Sequence, residues 1–194
     1  MATFTITKAD RWPPMPTVEE LVEKEIEKAN YIGSAMILAG FDHEINGVKY
    51  HFSYRTEDQT NFSNTTAAAA TSQALGSMSE EQLKKIYGTT VDGALDKSKL
   101  PQPLPEEWRV TWQGHVDDRS VVLTLNLIQW LQLDGASHEH RNYCLNECRL
   151  MKEKLRAAKS EEELSNIVAE LDLDMRQVKL RDKLEEAGVA VLHV

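Results

Sequence analysis

The chain has few cysteines and no long apolar run. Its 194 residues include two cysteines, Cys144 and Cys148, four apart in a predicted helix, so no disulfide framing the fold is expected. No run approaches the roughly 18 to 20 apolar residues that span a bilayer. The N-terminal MATFTITKADRW lacks the apolar centre of a signal peptide. We therefore expect a protein without membrane insertion that is made in, and not exported from, a cytoplasm.

Positive charge is also scarce. The sequence has 22 Lys and Arg against 31 Asp and Glu, a formal net charge of -9. A general nucleic-acid binder needs a basic face that displaces counterions, so no nucleic-acid partner is expected. Adhesion to an anionic membrane surface is disfavoured for the same reason. Hydrophobic residues at 41% and charged residues at 27% are typical of a globular protein with a packed core.

Motifs of common catalytic and cofactor-binding loops are missing. The sequence has no Walker loop, dinucleotide-binding glycine motif or nucleophile elbow. Asp172 and Asp174 lie close together in LDLDMRQVKL, but an EF-hand loop needs a glycine and further oxygen ligands at fixed spacing. We therefore predict no enzyme activity and no cofactor.

The best-specified stretch is 41–70, predicted to be a β-hairpin followed by a helix. Asn46-Gly47 favours a two-residue turn, because both positions need a positive φ that these residues tolerate. Apolar and polar residues alternate over 48–54, the pattern of a half-buried strand. Thr56 and Gln59 have the spacing of a capping box for the helix that follows.

Helices are predicted on both sides of this hairpin. Thr17 and Glu20 predict a capped helix from Val18 to about Leu38. Its apolar stripe is more often core than an oligomer seam, and both interpretations stay open here. Ser79 with Gln82 and Ser160 with Glu163 predict capping boxes for two further helices. The remaining predicted elements are helices at 57–75, 80–87, 125–158, 160–171 and 175–187, and strands at 108–112, 121–123 and 189–194.

The long predicted helix 125–158 has an imperfect apolar stripe. Thr124 is its predicted N-cap, Gly114 is assigned to a turn before it, and Asp134-Gly135 is a possible break. The predicted buried stripe comprises Leu125, Ile128, Leu131, Leu145, Cys148, Met151 and Leu155.

These elements predict an α+β fold, with small antiparallel β-hairpins packed on long amphipathic helices. The predicted organisation is an extended N-terminal arm at 1–16, a helix-hairpin-helix unit at 17–87, a loop or insertion at 88–107, and a hairpin-helix unit with C-terminal helices at 108–194. The hairpin-then-helix order occurs twice without a residue-level repeat.

The N-terminal arm contains the candidate partner-binding residues. Trp12, Pro13, Pro14, Met15 and Pro16 form a segment whose prolines disfavour helix and favour an extended path. Such a segment cannot bury itself alone. Trp12 either packs on its own domain or docks, with the prolines, on another subunit.

Two clusters of chemically active residues have simpler structural explanations. His138, His140, Cys144 and Cys148 are zinc-type ligands, but one straight helix cannot surround a metal, so we interpret the cysteines as core residues and predict no metal site. His115 with Asp117, Asp118 and Arg119 could provide a general base, but turn composition explains these residues as well.

The order of several short motifs over about 41–167 resembles a domain of unknown function that is common in tailed bacteriophages and prophages. The stretches that carry the resemblance are GVKYHFSYRTEDQTNFSNTTAAA, then WRVTWQGHVDDRSVVLTLNLIQWLQLDGASHEH, then LRAAKSEEELSNI. The matching positions are Gly47 with Tyr50, Asn64 with Ala68, Trp108, Val121 to Thr124, His138 or His140, Ala158, Ser160, and Glu162 to Leu164. The long middle segment and the added terminal elements depart from the family pattern.

The resemblance implies a structural component of the phage tail, in the baseplate or tail-fibre region. Such a protein is made in the host bacterial cytoplasm and is located in the virion, where it acts as an adaptor or attachment protein through contacts with other tail proteins, as a homo-oligomer. A tail or tail-fibre assembly chaperone that is not retained in the virion is the alternative. A small host-modulating enzyme or metal protein is a third possibility.

Overall fold

The computed structural model describes residues 15–101, 103–104, 106–117 and 119–187. It consists of helices and one antiparallel four-stranded sheet, which confirms the predicted α+β fold. The elements are, in order, α1 (Val18–Leu38), β1 (Phe41–Ile45), β2 (Val48–Phe52), α2 (Thr56–Gly76), α3 (Glu80–Tyr87), β3 (Arg109–Val116), β4 (Arg119–Asn126), α4 (Leu127–Arg156), α5 (Glu161–Leu171) and α6 (Leu173–Glu186).

The first hairpin forms as its turn sequence predicts. Asn46 and Gly47 have φ of 53° and 80°, the left-handed region that a two-residue hairpin turn requires. The register pairs Ile45 with Val48 and Phe41 with Phe52. Phe41 and Phe52 are therefore neighbours on one face of the sheet, and both are buried.

The two hairpins join into a single sheet with strand order β1-β2-β3-β4. The junction pairs β2 with β3 antiparallel, with His51 opposite His115. α2, α3 and the following loop lie in sequence between these two strands. Strands from both predicted units, 17–87 and 108–194, thus lie in one sheet.

One hydrophobic core, here called the sheet core, lies between the sheet, α2 and the first half of α4. Its centre is aromatic: the ring centroid of Phe62 is 5.1 Å from that of Trp130 and 4.7 Å from that of Trp112. The buried members are Phe41, Ile45, Phe52, Tyr54, Phe62, Ala69, Trp108, Leu125, Trp130 and Leu133.

A second core, here called the helical core, lies where α1 packs against the second half of α4 and against α5 and α6. Its buried members are Val22, Ile26, Ala29, Ile32, Cys148, Met151, Leu155, Leu164 and Leu173. The predicted stripe of α1 is thus part of a core within the chain. α4 has 30 residues and contributes to both cores.

The predicted capping box of α2 is wrong. Thr56 is the first helical residue, and Arg55 occupies the N-cap position. The Asp58 carboxylate accepts from the Arg55 N–H at 3.0 Å and from the Ser53 hydroxyl at 2.6 Å. Gln59 instead donates its amide to the Tyr54 carbonyl at 3.0 Å. A carboxylate accepts more strongly than a neutral amide, so Asp58 determines where the helix starts.

The predicted start of α4 is also wrong. β4 continues through Leu125, which is buried in the sheet core, and Asn126 is the N-cap, in a reciprocal capping box with Gln129. Gly114 lies inside β3 and not in a turn. Gly114 is buried there, and an added Cβ would lie 3.2 Å from the Phe52 ring. The absence of a side chain thus lets the Phe52 ring pack against this strand.

α4 is continuous through Asp134 and Gly135, contrary to the predicted break. The predicted stripe holds for Cys148, Met151 and Leu155, but Ile128 and Leu145 are 68% and 51% exposed. The helix buries Trp130, Leu133, Ser137 and Cys144 instead, because the partners of its first half are the sheet and α2.

The other local predictions have mixed outcomes. The capping boxes of α1 and α3 are confirmed, and Ser160 caps α5. α6 begins at Leu173, two residues before its predicted start. Loop 88–107 contains a bridge between Thr89 and Leu95 and a short 3-10 turn at Lys97–Lys99. The predicted strand 189–194 and residues 1–14 of the arm lie outside the described residues.

Candidate functional site

Two neighbouring clefts are lined by four histidine side chains. One, of about 570 Å³, lies between β1 and α4; the other, of about 620 Å³, lies between the β2–β3 junction and the end of α6. Both contain His51 and Lys183. The further histidines are His43 and His140 in the first cleft and His115 in the second. We call this region the histidine clefts.

His51 is held at both ring nitrogens. Nδ1 lies 2.8 Å from the Asp42 carboxylate, and Nε2 lies 2.9 Å from the Ala39 carbonyl oxygen. Both partners are hydrogen-bond acceptors, and each faces one nitrogen of the ring. Both ring nitrogens are thus engaged in contacts within the protein. His51 therefore fastens β2 to β1 and to the end of α1.

Asp42 on β1 pairs with two side chains of β2, His51 and Lys49. The Lys49 ammonium lies 2.9 Å from its second oxygen. The hydrogen bond from Lys49, helped by that from His51 and opposed by partial burial, lowers the pKa of Asp42 below its ordinary value. The carboxylate is thus charged and doubly paired, which makes it a cross-strand anchor.

His140 is half-buried in the first cleft. Its Nε2–H donates to the Met36 carbonyl at 3.1 Å, and its ring stacks on Phe41 with centroids 5.7 Å apart. Burial lowers the pKa of His140, although the backbone carbonyls of α1 act in the opposite direction. The neutral ring joins α4 to the end of α1.

The four zinc-type ligands on α4 do not form one cluster, although the Cys144 Sγ lies 3.6 Å from the His140 Nε2. His138 points to solvent near Asp134, with an Nε2 to Oδ2 distance of 3.6 Å. Burial raises the pKa of the Cys144 thiol to about 11, and the Cys148 thiol donates to the Ala29 carbonyl at 3.4 Å. Within the described ranges, no group of three or more His, Cys, Asp or Glu side chains could hold a metal ion.

The predicted acid–histidine cluster is only partly assembled. His115 lies in β3, not in a turn, and faces the second cleft together with Asp117. Asp117 has a φ of 45° and begins the β3–β4 turn, while Arg119 starts β4. Asp118 lies outside the described residues. The pairing of His115 with His51 was not predicted, since local patterns give no cross-strand register over 64 positions.

The candidate partner-binding arm is described only at its end. Met15 is 83% exposed, and Pro16 is exposed directly before the Thr17 cap. Trp12, Pro13 and Pro14 lie outside the described residues.

Asp172 and Asp174, for which the sequence analysis rejected a calcium site, have structural roles. Asp172 links α5 to α6, and the Asp174 carboxylate accepts a hydrogen bond from Lys28 of α1 at 2.7 Å.

A third cavity was missed by the sequence analysis. It is an apolar groove of about 650 Å³ between the end of α2, α3, the loop and the start of α4. Its apolar lining comprises Leu75, Met78, Leu83, Leu95, Leu100, Leu104, Leu127 and Ile128. The sequence signal for this groove was Leu95, Leu100 and Leu104, because large apolar residues are uncommon in a fully solvated loop.

Comparison of the chain with family models, curated proteins and solved structures yields no match. Among the helices of the described residues, none is sufficiently long and apolar to cross a membrane. The interpretation of function therefore depends on the motifs of the chain and on the geometry above.

Proposed function

We propose that this protein is a structural component of a tailed bacteriophage virion. It belongs to the tail baseplate or tail-fibre region and acts as an adaptor or attachment protein through protein–protein contacts. The observation that carries the proposal is the ordered series of motifs over 41–167 that resembles the phage-tail domain.

The positions of the motif residues support this assignment. Gly47 forms the turn of the first hairpin, Trp108 is buried in the sheet core, and Ser160 caps α5. Val121 to Thr124 lie in β4, and Leu164 is buried in the helical core. These motifs specify a scaffold and do not assemble reactive groups, which suits a protein that works through its surfaces.

The histidine clefts also agree with a scaffold role. The rings of His51 and His140 hydrogen-bond to backbone carbonyls at the end of α1, and Asp42 is paired with Lys49 and His51. The Arg55 guanidinium donates to the carbonyl of Ala187 at the end of α6. These contacts hold helix ends against the sheet, so a structural role accounts for the charged groups that carry them.

The deciding experiment is to measure the chain in purified virions. Particles of the phage or induced prophage that encodes it would be banded on a density gradient, and the chain quantified by peptide mass spectrometry against a major tail protein. We expect a fixed stoichiometry with the tail. A matched infected-cell lysate is the control: abundance there, with loss from the particles, would replace the proposal with the assembly chaperone. Absence from both would refute both.

The arm gives a second test within the same system. A variant lacking residues 1–16 is compared with one carrying only Trp12→Ala and Met15→Ala. If the arm docks on a neighbour, the deletion reduces incorporation into particles severalfold, and the double substitution reproduces much of the loss. Unchanged incorporation and oligomeric mass would remove the arm from the proposed contact.

A further inference from the structure

β4 is an edge strand with an open side. Its inner edge pairs with β3 over all eight residues, from Arg119 opposite Val116 to Asn126 opposite Arg109. Strand order places β4 last in the sheet. Among the described residues, no backbone hydrogen bond reaches its outer edge. A row of N–H and C=O groups is therefore available for another strand.

β4 lacks the devices that usually protect an edge. Its sequence, RSVVLTLN, has no proline, lysine or acidic residue, and its eight residues form a regular ladder with β3. The opposite edge differs in length and charge: β1 has five residues, of which Asp42 and Glu44 are acidic, whereas α4 contacts both edge strands. Of the two edges, β4 is thus the one suited to strand addition.

The side chains of β4 fit the same conclusion. Val122 is 72% exposed, between the exposed residues Ser120 and Thr124 on the outward face. Leu125 is buried on the inward face, where Val121 and Leu123 are partly exposed. A β-branched apolar side chain at the centre of an open edge gains burial when a second strand lies beside it.

We propose that β4 is the surface through which two copies of this chain pair antiparallel, making one eight-stranded sheet across a two-fold axis at Val122. In this register Val122 faces its own copy, Ser120 faces Thr124, and Val121 faces Leu123. The pairing is self-complementary by residue type on both faces, and Arg119 faces Leu125, so no like charges meet. This goes beyond the proposed function and does not depend on it, since it concerns the purified chain.

The first experiment measures the mass of the chain by light scattering over a range of concentrations. We expect twice the monomer mass of 22.0 kDa. Val122→Lys places two ammonium groups together at the two-fold axis and should weaken association at least tenfold. The matched control is Thr111→Lys, an exposed position on the same face but on the inner strand β3, opposite Thr124. It should leave the dimer intact. Circular dichroism verifies that both variants fold.

The second experiment tests the register. Val122→Cys brings two thiols opposite each other across the axis, within disulfide reach, and oxidation by diamide should produce a covalent dimer. Thr111→Cys lies three strand spacings across the sheet and four residues along it from its mate, roughly 20 Å away, and should not cross-link. Cys144 and Cys148 are buried and contribute little background.

A covalent dimer of the Val122→Cys variant with a monomeric Val122→Lys variant supports the proposal. A wild-type monomer at every concentration would overturn it. So would a dimer that survives Val122→Lys, because another surface would then be responsible. A monomer that dimerises only after residues 188–194 are removed would overturn it too, since the chain's own end would then cover the edge. The virion measurement is unaffected by any of these outcomes.

Discussion

Gly33 is the residue at which α1 comes closest to α4. A Cβ at this position would lie 2.7 Å from the Cys148 Cβ and 3.0 Å from its Sγ. The Cys148 Cβ is attached directly to the backbone of α4 and cannot rotate away, so an added methyl group forces the two helices apart. The glycine that weakens the helix locally is thus needed for helix contact.

We therefore predict that Gly33→Ala destabilises the protein. Overpacking costs about 1–3 kcal/mol, whereas removing a glycine from a helix gains up to about 1 kcal/mol, so the net loss should be about 1–2 kcal/mol. Urea unfolding measures it.

The matched control is Gly135→Ala in α4, where a Cβ meets no atom within 4 Å. It should stabilise the protein slightly by the same propensity difference. Equal effects of the two substitutions would contradict the packing explanation.

Asp42 gives a prediction on pH. Its pKa lies below the ordinary 3.8 in the folded chain, chiefly through Lys49. A carboxyl group with a lowered folded pKa stabilises the fold above its unfolded pKa, and this contribution disappears as the pH falls through the folded value. Asp42→Ala should therefore lower the melting temperature at pH 6, and the difference from wild type should shrink below about pH 4.

Glu44→Ala is the control for this measurement. Glu44 is exposed on the same strand, and the structure shows no ion pair for it among the described residues. Its removal should have little effect at either pH. A difference for Asp42→Ala that persists unchanged at pH 3 would show that the charge of the carboxylate is not responsible.

At the scale of the element, α2 is held to α4 by a partly buried chain of hydrogen bonds. The Trp130 indole N–H donates to the Thr66 hydroxyl at 3.2 Å, and that hydroxyl donates to the Asp134 carboxylate at 2.7 Å. α2 is rich in Ala, Thr and Ser and has few large apolar side chains, so it depends on such contacts more than the other long helices do.

Thr66→Val should loosen α2. The substitution keeps the shape but leaves the buried Trp130 N–H without an acceptor, at a cost of about 1–3 kcal/mol. Hydrogen exchange should rise most in α2. Thr71→Val is the matched control, because the exposed Thr71 hydroxyl bonds only to Ala67 of its own helix at 3.1 Å. Equal exchange in the two variants would argue against the network.

At the scale of the whole molecule, the two cores share α4. Its Leu133 belongs to the sheet core and its Met151 to the helical core. The end of α1 also contacts both cores, because Ile37 packs against the sheet core and Met36 against the helical core. Two packed regions joined by continuous helices should unfold together.

We predict that Met151→Ala lowers the stability of both cores together. Met151 is 2% exposed, and truncation of such a side chain costs about 2–5 kcal/mol. Trp108 and Trp130 lie in the sheet core, so their fluorescence reports the region far from the substitution. In a Trp12→Phe background, fluorescence and far-ultraviolet circular dichroism should shift to the same new midpoint.

An unchanged fluorescence midpoint beside a shifted dichroism midpoint would mean that the cores unfold separately. Leu150→Ala is the control on the same helix. Leu150 is 40% exposed, so its truncation should have a much smaller effect. All variants are compared at one protein concentration, because dimerisation would make the midpoint concentration-dependent.

Sequence alone predicted the features that depend on neighbours in the chain. The Asn46-Gly47 turn, the boxes at Thr17 and Ser79, and the span of α1 were all predictable, because a turn or cap is decided by residues within about four positions. The start of α4 is also a local feature, but its prediction was wrong because VVLTLNLIQW fits both a strand period and a helix period. Burial of Leu125 against the sheet decides in favour of the strand.

Tertiary structure alone decided which distant residues meet. It brought His51 beside His115, placed His140 against the end of α1, and gathered the loop leucines into a groove. It also placed β4, an eight-residue strand without acidic residues, at one edge of the sheet. These contacts depend on which apolar surfaces of the hairpins and helices are buried against each other. Local sequence patterns do not determine that choice. The sequence therefore determined the elements and the α+β class, while packing between elements determined the surfaces available for function.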